Sequence, residues 1–238
     1  MEKQIKLLDC TLRDGGYYNN WQFETPDVNR YLKQVYSAKI DVVEIGFHFF
    51  EVNNSYGEFA FVNEKSLNKI ILNKETKLAI MFNGADLLNL KKDYKSKILS
   101  IFKHKKKKIS IVKIAVHYKN LKKIKKFIDL LKSIKIKVCI NLMQINTISN
   151  SQLSSCLNLL TKWNNTDVFY FADSFGNINP KNVKKICSVI KKNWAKEFGI
   201  HSHDNCGLAL KNTIQAFKSG ATWLDGTIQG MGRGAGNV

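Results

Sequence analysis

Eight short apolar runs recur along the chain, at 5–8, 42–47, 78–82, 111–116, 138–143, 168–172, 199–203 and 221–228, with helically patterned stretches between them. Strands covered on both faces need such near-continuous apolar character, whereas a half-solvated strand alternates. The only two prolines stand in Thr25-Pro26-Asp27 and Asn179-Pro180-Lys181, each where a first helical turn tolerates it and a preceding side chain offers a cap. Asp86, Ser149 and Asp204 or Asn205 are further cap candidates, and no Pro/Gly/Ser-rich linker divides residues 1–238, which read as a single domain. Eight strand–helix alternations over this length predict an α/β TIM (β/α)8 barrel, with a doubly wound open sheet as the competing arrangement.

The placement of polar residues favours the barrel. Arg13, Asp14, Glu44, His48, Asn83, His117, Asn141, Asp173, His201, His203 and Asp225 all fall at or near the C-terminal ends of the predicted strands. That rim is the catalytic face of a barrel, while an open sheet would gather such residues at one switch point. Beyond the last strand the chain runs through 230–238, so the expectation is a barrel lacking its eighth helix and C-terminal extension. The outward faces of strands eight and one, Leu224 and Ile228 among them, would then lie bare, open to self-association or to a partner chain.

Composition narrows the class. With 44% hydrophobic and 24% charged residues the chain can bury a core without staples. It contains no apolar run of membrane-spanning length and no signal-peptide pattern, which predicts a soluble cytoplasmic protein. Five cysteines without a CxxC pair read as reduced thiols. The formal charge of +19 invites a nucleic-acid reading, but only Arg13, Arg30 and Arg233 are arginine. The lysines are spread at helical spacing, as solvated helix faces require; the run 104–108 is the strongest counter-evidence.

His201-Ser202-His203 is the sharpest local signal. On a strand, positions i and i+2 face one side, so both imidazoles meet the same space and suit a divalent metal. Asp14, just after strand one and close to strands seven and eight in a closed barrel, is the natural third ligand. Asn237, on the glycine-rich loop, either adds a carbonyl oxygen or is a surface amide. Two imidazoles and a carboxylate suit Mn2+, Mg2+, Zn2+ or Co2+. Arg13 and Arg233 stand out where lysine carries nearly every other positive charge, and a planar fork of donors suits a carboxylate or a developing oxyanion. Alternation sends Glu44 and His48 inward, Glu44 to orient Arg13. For proton transfer the candidates are His48, His117 and Tyr17, in that order. Asp173, Lys113 and His117 are further interior groups.

Taken together, Thr11-Leu12-Arg13-Asp14-Gly15-Gly16, Glu44-Ile45-Gly46, His201-Ser202-His203-Asp204-Asn205 and Asp225-Gly226-Thr227 with Gly230-Met231-Gly232-Arg233-Gly234-Ala235-Gly236-Asn237 resemble the DRE-TIM metallolyases, the HMG-CoA lyase-like superfamily. Within them the chain looks most like the 4-hydroxy-2-oxovalerate aldolase type. The resemblance implies a metal-dependent lyase acting on a small 2-oxo acid, with Asp14, His201 and His203 on the metal, Asn237 completing or flanking it, and Arg13 at an enolate oxygen. Arg233, His117 and Asp173 are the accompanying substrate-binding candidates. Such aldolases carry a histidine shortly after the Arg-Asp-Gly motif, where this chain has Tyr17-Tyr18. A Claisen-type acyl-CoA condensing enzyme of the isopropylmalate or homocitrate synthase kind, or a truncated non-catalytic barrel, are the alternatives.

Overall fold

The computed structural model describes residues 4–103 and 108–238, which leaves 104–107 of the lysine-rich run outside the described residues. Strands β1 (Lys6–Asp9), β2 (Val42–Phe47), β3 (Lys77–Asn83), β4 (Ile109–Val116), β5 (Lys137–Leu142), β6 (Val168–Asp173), β7 (Glu197–Ser202) and β8 (Trp223–Gly226) pair in parallel in that order, and β1 closes onto β8. This is the predicted TIM barrel rather than the open sheet.

A single turn, α1 (Thr11–Asp14), follows β1 and carries Arg13 and Asp14. The outer helices are α2 (Thr25–Ser37), α3 (Gly84–Asn89), α4 (Tyr94–Ile101), α5 (Lys125–Ser133), α6 (Asn150–Trp163), α7 (Pro180–Asn193) and α8 (Ala209–Lys218). Between β2 and β3 only the short 3-10 turns Glu58–Ala60 and Ser66–Lys69 stand in for a helix. Both prolines open helices as expected, and Asn179 caps α7 through the amide of Asn182 at 3.0 Å. Ser149 and Gln152 form a reciprocal capping box on α6. Thr25 already lies inside α2, so its expected capping role falls away. Asp86 lies inside α3, where Asn83 is the cap. Asp204 Oδ1 accepts from the amide of Ala209, the first residue of α8, at 2.7 Å.

Strand register and side-chain alternation stack the barrel interior in layers of four drawn from alternate strands. At the N-terminal end Val42, Ile111, Val168 and Trp223 form one layer, and Leu8, Ala79, Cys139 and Gly199 the next. Gly199 is required there, because a Cβ would sit 2.6 Å from the Tyr170 ring and 2.5 Å from the Trp223 carbonyl. The third layer is Glu44, Lys113, Tyr170 and Asp225, three charged groups and a phenol, all almost wholly buried. Above it, at the C-terminal mouth, lie Cys10, Met81, Asn141 and His201. Apolar layers thus seal the floor, and polarity begins only where the strands approach their C-terminal ends.

One register break changes the expected site. Glu44 pairs with Ala79 but Phe47 with Met81, so β2 carries one extra residue and its inward phase shifts. Glu44 and Phe47 face the centre, and His48, expected inward with Glu44, is turned outward. There His48 Nδ1 lies 2.8 Å from the Val62 carbonyl and its ring packs on Phe50 and Phe82.

Outside β8 and β1 runs an apolar groove of about 470 Å³ between α8 and the barrel wall. Leu7, Leu210, Phe217 and Ile228 are 41–60% exposed along it. Leu224 lines it as expected, whereas Ile228 belongs to a 3-10 turn after the strand rather than to β8 itself. No helix among the described residues is long and apolar enough to cross a membrane.

Candidate metal centre

Arg13 and Asp14 reach the mouth because α1 folds back over the end of β1. Asp9 Oδ1 accepts from the amide of Thr11 at 2.8 Å and so starts that turn, while Trp21 Nε1 donates to the Arg13 carbonyl at 2.8 Å and clamps its end. Trp21 fits only over a glycine: a Cβ on Gly16 would sit 2.0 Å from its ring. His201 and His203 rise from β7 on one face, as i and i+2 positions must, with their rings 4.9 Å apart and edge to face.

One ligand atom from each of Asp14, His201 and His203 lies within 4.8 Å of the other two, and all three side chains are buried. Nε2 of His201 is 3.5 Å, and Nε2 of His203 3.8 Å, from Asp14 Oδ2. Each ring's other nitrogen is occupied: Nδ1 of His201 lies 3.0 Å from Asp225 Oδ2, and Nδ1 of His203 2.9 Å from the Asp173 carbonyl. Those acceptors make Nδ1 the protonated nitrogen of a neutral ring and leave both Nε2 lone pairs facing Asp14, the arrangement a metal-binding histidine needs. Burial and the neighbouring His201 hold His203 down at about 4. Burial works against charge on His201 as well, but hydrogen bonds to Asp14 and Asp225 win and raise it. Burial would lift the Asp14 carboxyl, yet the Arg13 guanidinium holds it well below the usual range.

The charge balance also fits a cation. Arg13 and Lys113 stand against Asp14, Glu44 and Asp225, so with neutral imidazoles the buried cluster keeps one surplus negative charge. Cys10, His201 and Asp225 form a second close trio. It suits a metal less well: burial keeps the Cys10 thiol protonated, and Asp225 Oδ2 is taken by Lys113 Nζ at 2.5 Å.

Arg13 is held on two sides. Nε donates to Glu44 Oε2 at 2.7 Å, Nη1 lies 2.7 Å from Asp14 Oδ1, and Phe47 lies under the guanidinium with its ring centre 5.7 Å away. Nη2 remains, 3.4 Å from His201 Nε2. Asn237 also reaches the centre, because the glycine-rich loop folds back over the mouth. Gly236 (φ +96) puts its carbonyl on the Asp204 amide, and a Cβ there would strike the Gly230 carbonyl at 1.9 Å. Of the two expectations for Asn237, a carbonyl ligand or a flanking amide, the contacts here are those of a flanking group: Nδ2 donates to Asp14 Oδ2 at 2.8 Å, while Oδ1 accepts from the Val238 amide.

The remaining candidates are dispersed. The Asp173 carboxylate faces its own loop, accepting from the amides of Asn177 and Ile178, so the expected substrate contact is replaced by a structural one. His117 caps the turn after β4, and its ring lies tilted against Tyr118 with centroids 4.6 Å apart. Tyr17 is 42% exposed at the mouth, its ring edge-on to Trp21 and Phe47, and burial of its hydroxyl raises its pKa. Arg233 is exposed on the loop, and its charge favours the ionised form of the Tyr17 hydroxyl. What sequence reasoning left without a role is the pair Lys113 and Asp225. An apolar strand interrupted by a single lysine was its one visible signal.

An eight-stranded parallel barrel with its polar cluster at the C-terminal mouth is an enzyme scaffold, and the relatives define a carbon–carbon lyase. The chain belongs to the HMGL-like family, whose profile matches residues 4–238. It is 27% identical over 239 residues to a 4-hydroxy-2-oxovalerate aldolase of Pelotomaculum thermopropionicum, covering 99% of this chain and 67% of that protein. An oxaloacetate decarboxylase of Mycobacterium tuberculosis is 25% identical over 97% of this chain and 66% of its own length. Among solved structures, the N-terminal domain of a putative aldolase from Bacteroides vulgatus superposes with a TM-score of 0.85 at 33% identity, covering 98% of this chain and 76% of that one. The chain thus spans about two thirds of the length of the curated relatives it matches.

Proposed function

We propose that the protein is a divalent-metal-dependent aldolase that cleaves or forms the carbon–carbon bond next to the carbonyl of a 2-oxo acid, of the 4-hydroxy-2-oxovalerate aldolase kind. The observation that carries this reading is the convergence of the His201 and His203 Nε2 lone pairs on Asp14 Oδ2, each ring fixed from behind by an oxygen acceptor. Two imidazoles and a carboxylate with positions left for oxygen ligands suit a divalent ion; Mn2+ is the first to test, with Mg2+, Zn2+ and Co2+ as the ions to compare. Asp14, His201 and His203 would hold the divalent ion, which would supply Lewis acidity toward the bound 2-oxo acid.

The chain's own groups do the rest. Arg13, locked by Glu44 and Asp14, keeps Nη2 as a preorganised donor for the enolate oxygen that develops when the bond breaks. Asn237 steadies Asp14 from the loop side. With His48 turned outward, Tyr17 becomes the preferred group for holding a proton: its hydroxyl stays protonated at the mouth, and its ring shares Phe47 with Arg13. All five cysteines are free, and the cytoplasm is the compartment this reading assigns.

Elemental analysis of purified protein, with a pyruvate-release assay over 4-hydroxy-2-oxo acids, tests the proposal. One divalent ion per chain, lost in His203→Ala with the circular-dichroism spectrum retained, is the expected result. Unchanged metal content in that variant overturns it.

A further inference from the structure

Asn141 stands in the interior phase of β5, two residues beyond Cys139, whose side chain belongs to the packed floor. Register across β6 puts it in the same layer as His201, directly above the charged layer of Lys113, Tyr170 and Asp225. Its side chain is 3% exposed, and its Oδ1 is buried with no hydrogen-bond partner among the described residues. A buried amide oxygen without a partner is a standing cost to the fold, so such a group is retained where a ligand satisfies it. The inward residues next along the flanking strands are Ala115 on β4 and Ala172 on β6, small side chains that leave the amide uncrowded on the mouth side.

We infer that Asn141 binds the distal oxygen of the substrate and selects a neutral, hydroxyl-bearing 2-oxo acid over a dicarboxylate. The inference rests on the aldolase reading above, in which the carboxylate and 2-oxo end lies at Asp14, His201 and His203. A substrate extended across the mouth from β7 brings its far end toward β4 and β5. An amide offers both a donor and an acceptor, matching a hydroxyl that needs both. The nearest interior cation, Lys113, is already committed to Asp225 at 2.5 Å and Glu44 at 3.8 Å. A second carboxylate at this end would therefore be buried without a counter-charge.

The test compares wild type, Asn141→Leu and Asn141→Ala in two measurements. One is the unfolding temperature of the ligand-free protein. The other is the Kd, in the presence of Mn2+, for 4-hydroxy-2-oxopentanoate and for 2-oxopentanoate, which lacks the hydroxyl. Asn141→Leu is expected to unfold at the parent temperature or above it, since an unpaired amide is replaced by apolar volume, and Asn141→Ala covers the case in which leucine overpacks. Both variants should bind the hydroxy acid about tenfold more weakly, closing the gap between the two acids. Destabilisation of both variants, or equal loss of both acids, overturns the role of Asn141 while leaving the aldolase reading intact. Wild-type protein that binds neither acid overturns the aldolase reading and this substrate assignment with it.

Discussion

Nδ1 of His201 lies 3.0 Å from Oδ2 of Asp225, and this one contact decides which face of the imidazole is available at the mouth of the barrel. The same carboxylate oxygen takes the Lys113 ammonium from below. Burial would raise the Asp225 carboxyl, but Lys113 lowers it, so Asp225 stays a charged acceptor. Orientation of the histidine therefore rests on a lysine that never approaches the mouth.

Replacing Lys113 by Met should destabilise the fold by about 3–5 kcal/mol, because one partner of a buried charge pair is removed and Asp225 is stranded. Adding Asp225→Asn should restore part of that loss, since the second charge then goes too. Urea unfolding of the four members of this cycle measures the coupling, and simple additivity of the two losses would show that the pair is not coupled.

Arg13→Lys is expected to lower turnover about 100-fold or more, the usual cost of one preorganised oxyanion donor. Lysine keeps the charge, but its donors radiate from one nitrogen and cannot reproduce the planar fork that spans Glu44 and Asp14 while aiming Nη2 at the mouth. Steady-state kinetics on the cleaved 4-hydroxy-2-oxo acid check this, and parental kcat would reduce Arg13 to a structural tether of Glu44.

Metal affinity should weaken as the pH falls. Asp14 and Asp225 raise the His201 pKa above the ordinary imidazole value, so as the pH falls the ligand-free ring takes up a second proton that metal binding must release. His203, lowered to about 4, stays neutral over the same range and adds nothing to the slope. Titration calorimetry with Mn2+ between about pH 5 and 8 should show about one proton released per ion near the acid end. A flat profile would remove His201 from the ligand set.

The groove outside β8 and β1 should bind an apolar fluorescent dye and promote self-association at moderate salt, where repulsion among the lysines is screened. Leu210→Ser with Phe217→Ser should abolish both, because these exposed side chains supply its α8 wall. Light scattering reads the outcome, and a monodisperse protein that binds no dye counts against an apolar contact surface here.

Much of this molecule is written locally. Eight buried strands, their order, the two proline helix starts and the common facing of His201 and His203 follow from backbone periodicity, which the residues of one segment set by themselves. Asp14 beside the two histidines also follows once the barrel is closed. Tertiary structure decided the rest. One extra residue in β2 reversed the facing of His48, a change invisible to alternation because the bulge depends on how β2 meets β3. Asn237 turned its amide nitrogen to Asp14 because the Val238 amide took its oxygen, and Asp173 spent its carboxylate on its own loop. Lys113 and Asp225 are 112 residues apart in the chain, and only the register accumulated around a closed barrel puts them in one layer. Side-chain direction along a strand is a local property of the peptide, whereas the partner that neutralises a buried charge is chosen by the whole circuit of strands.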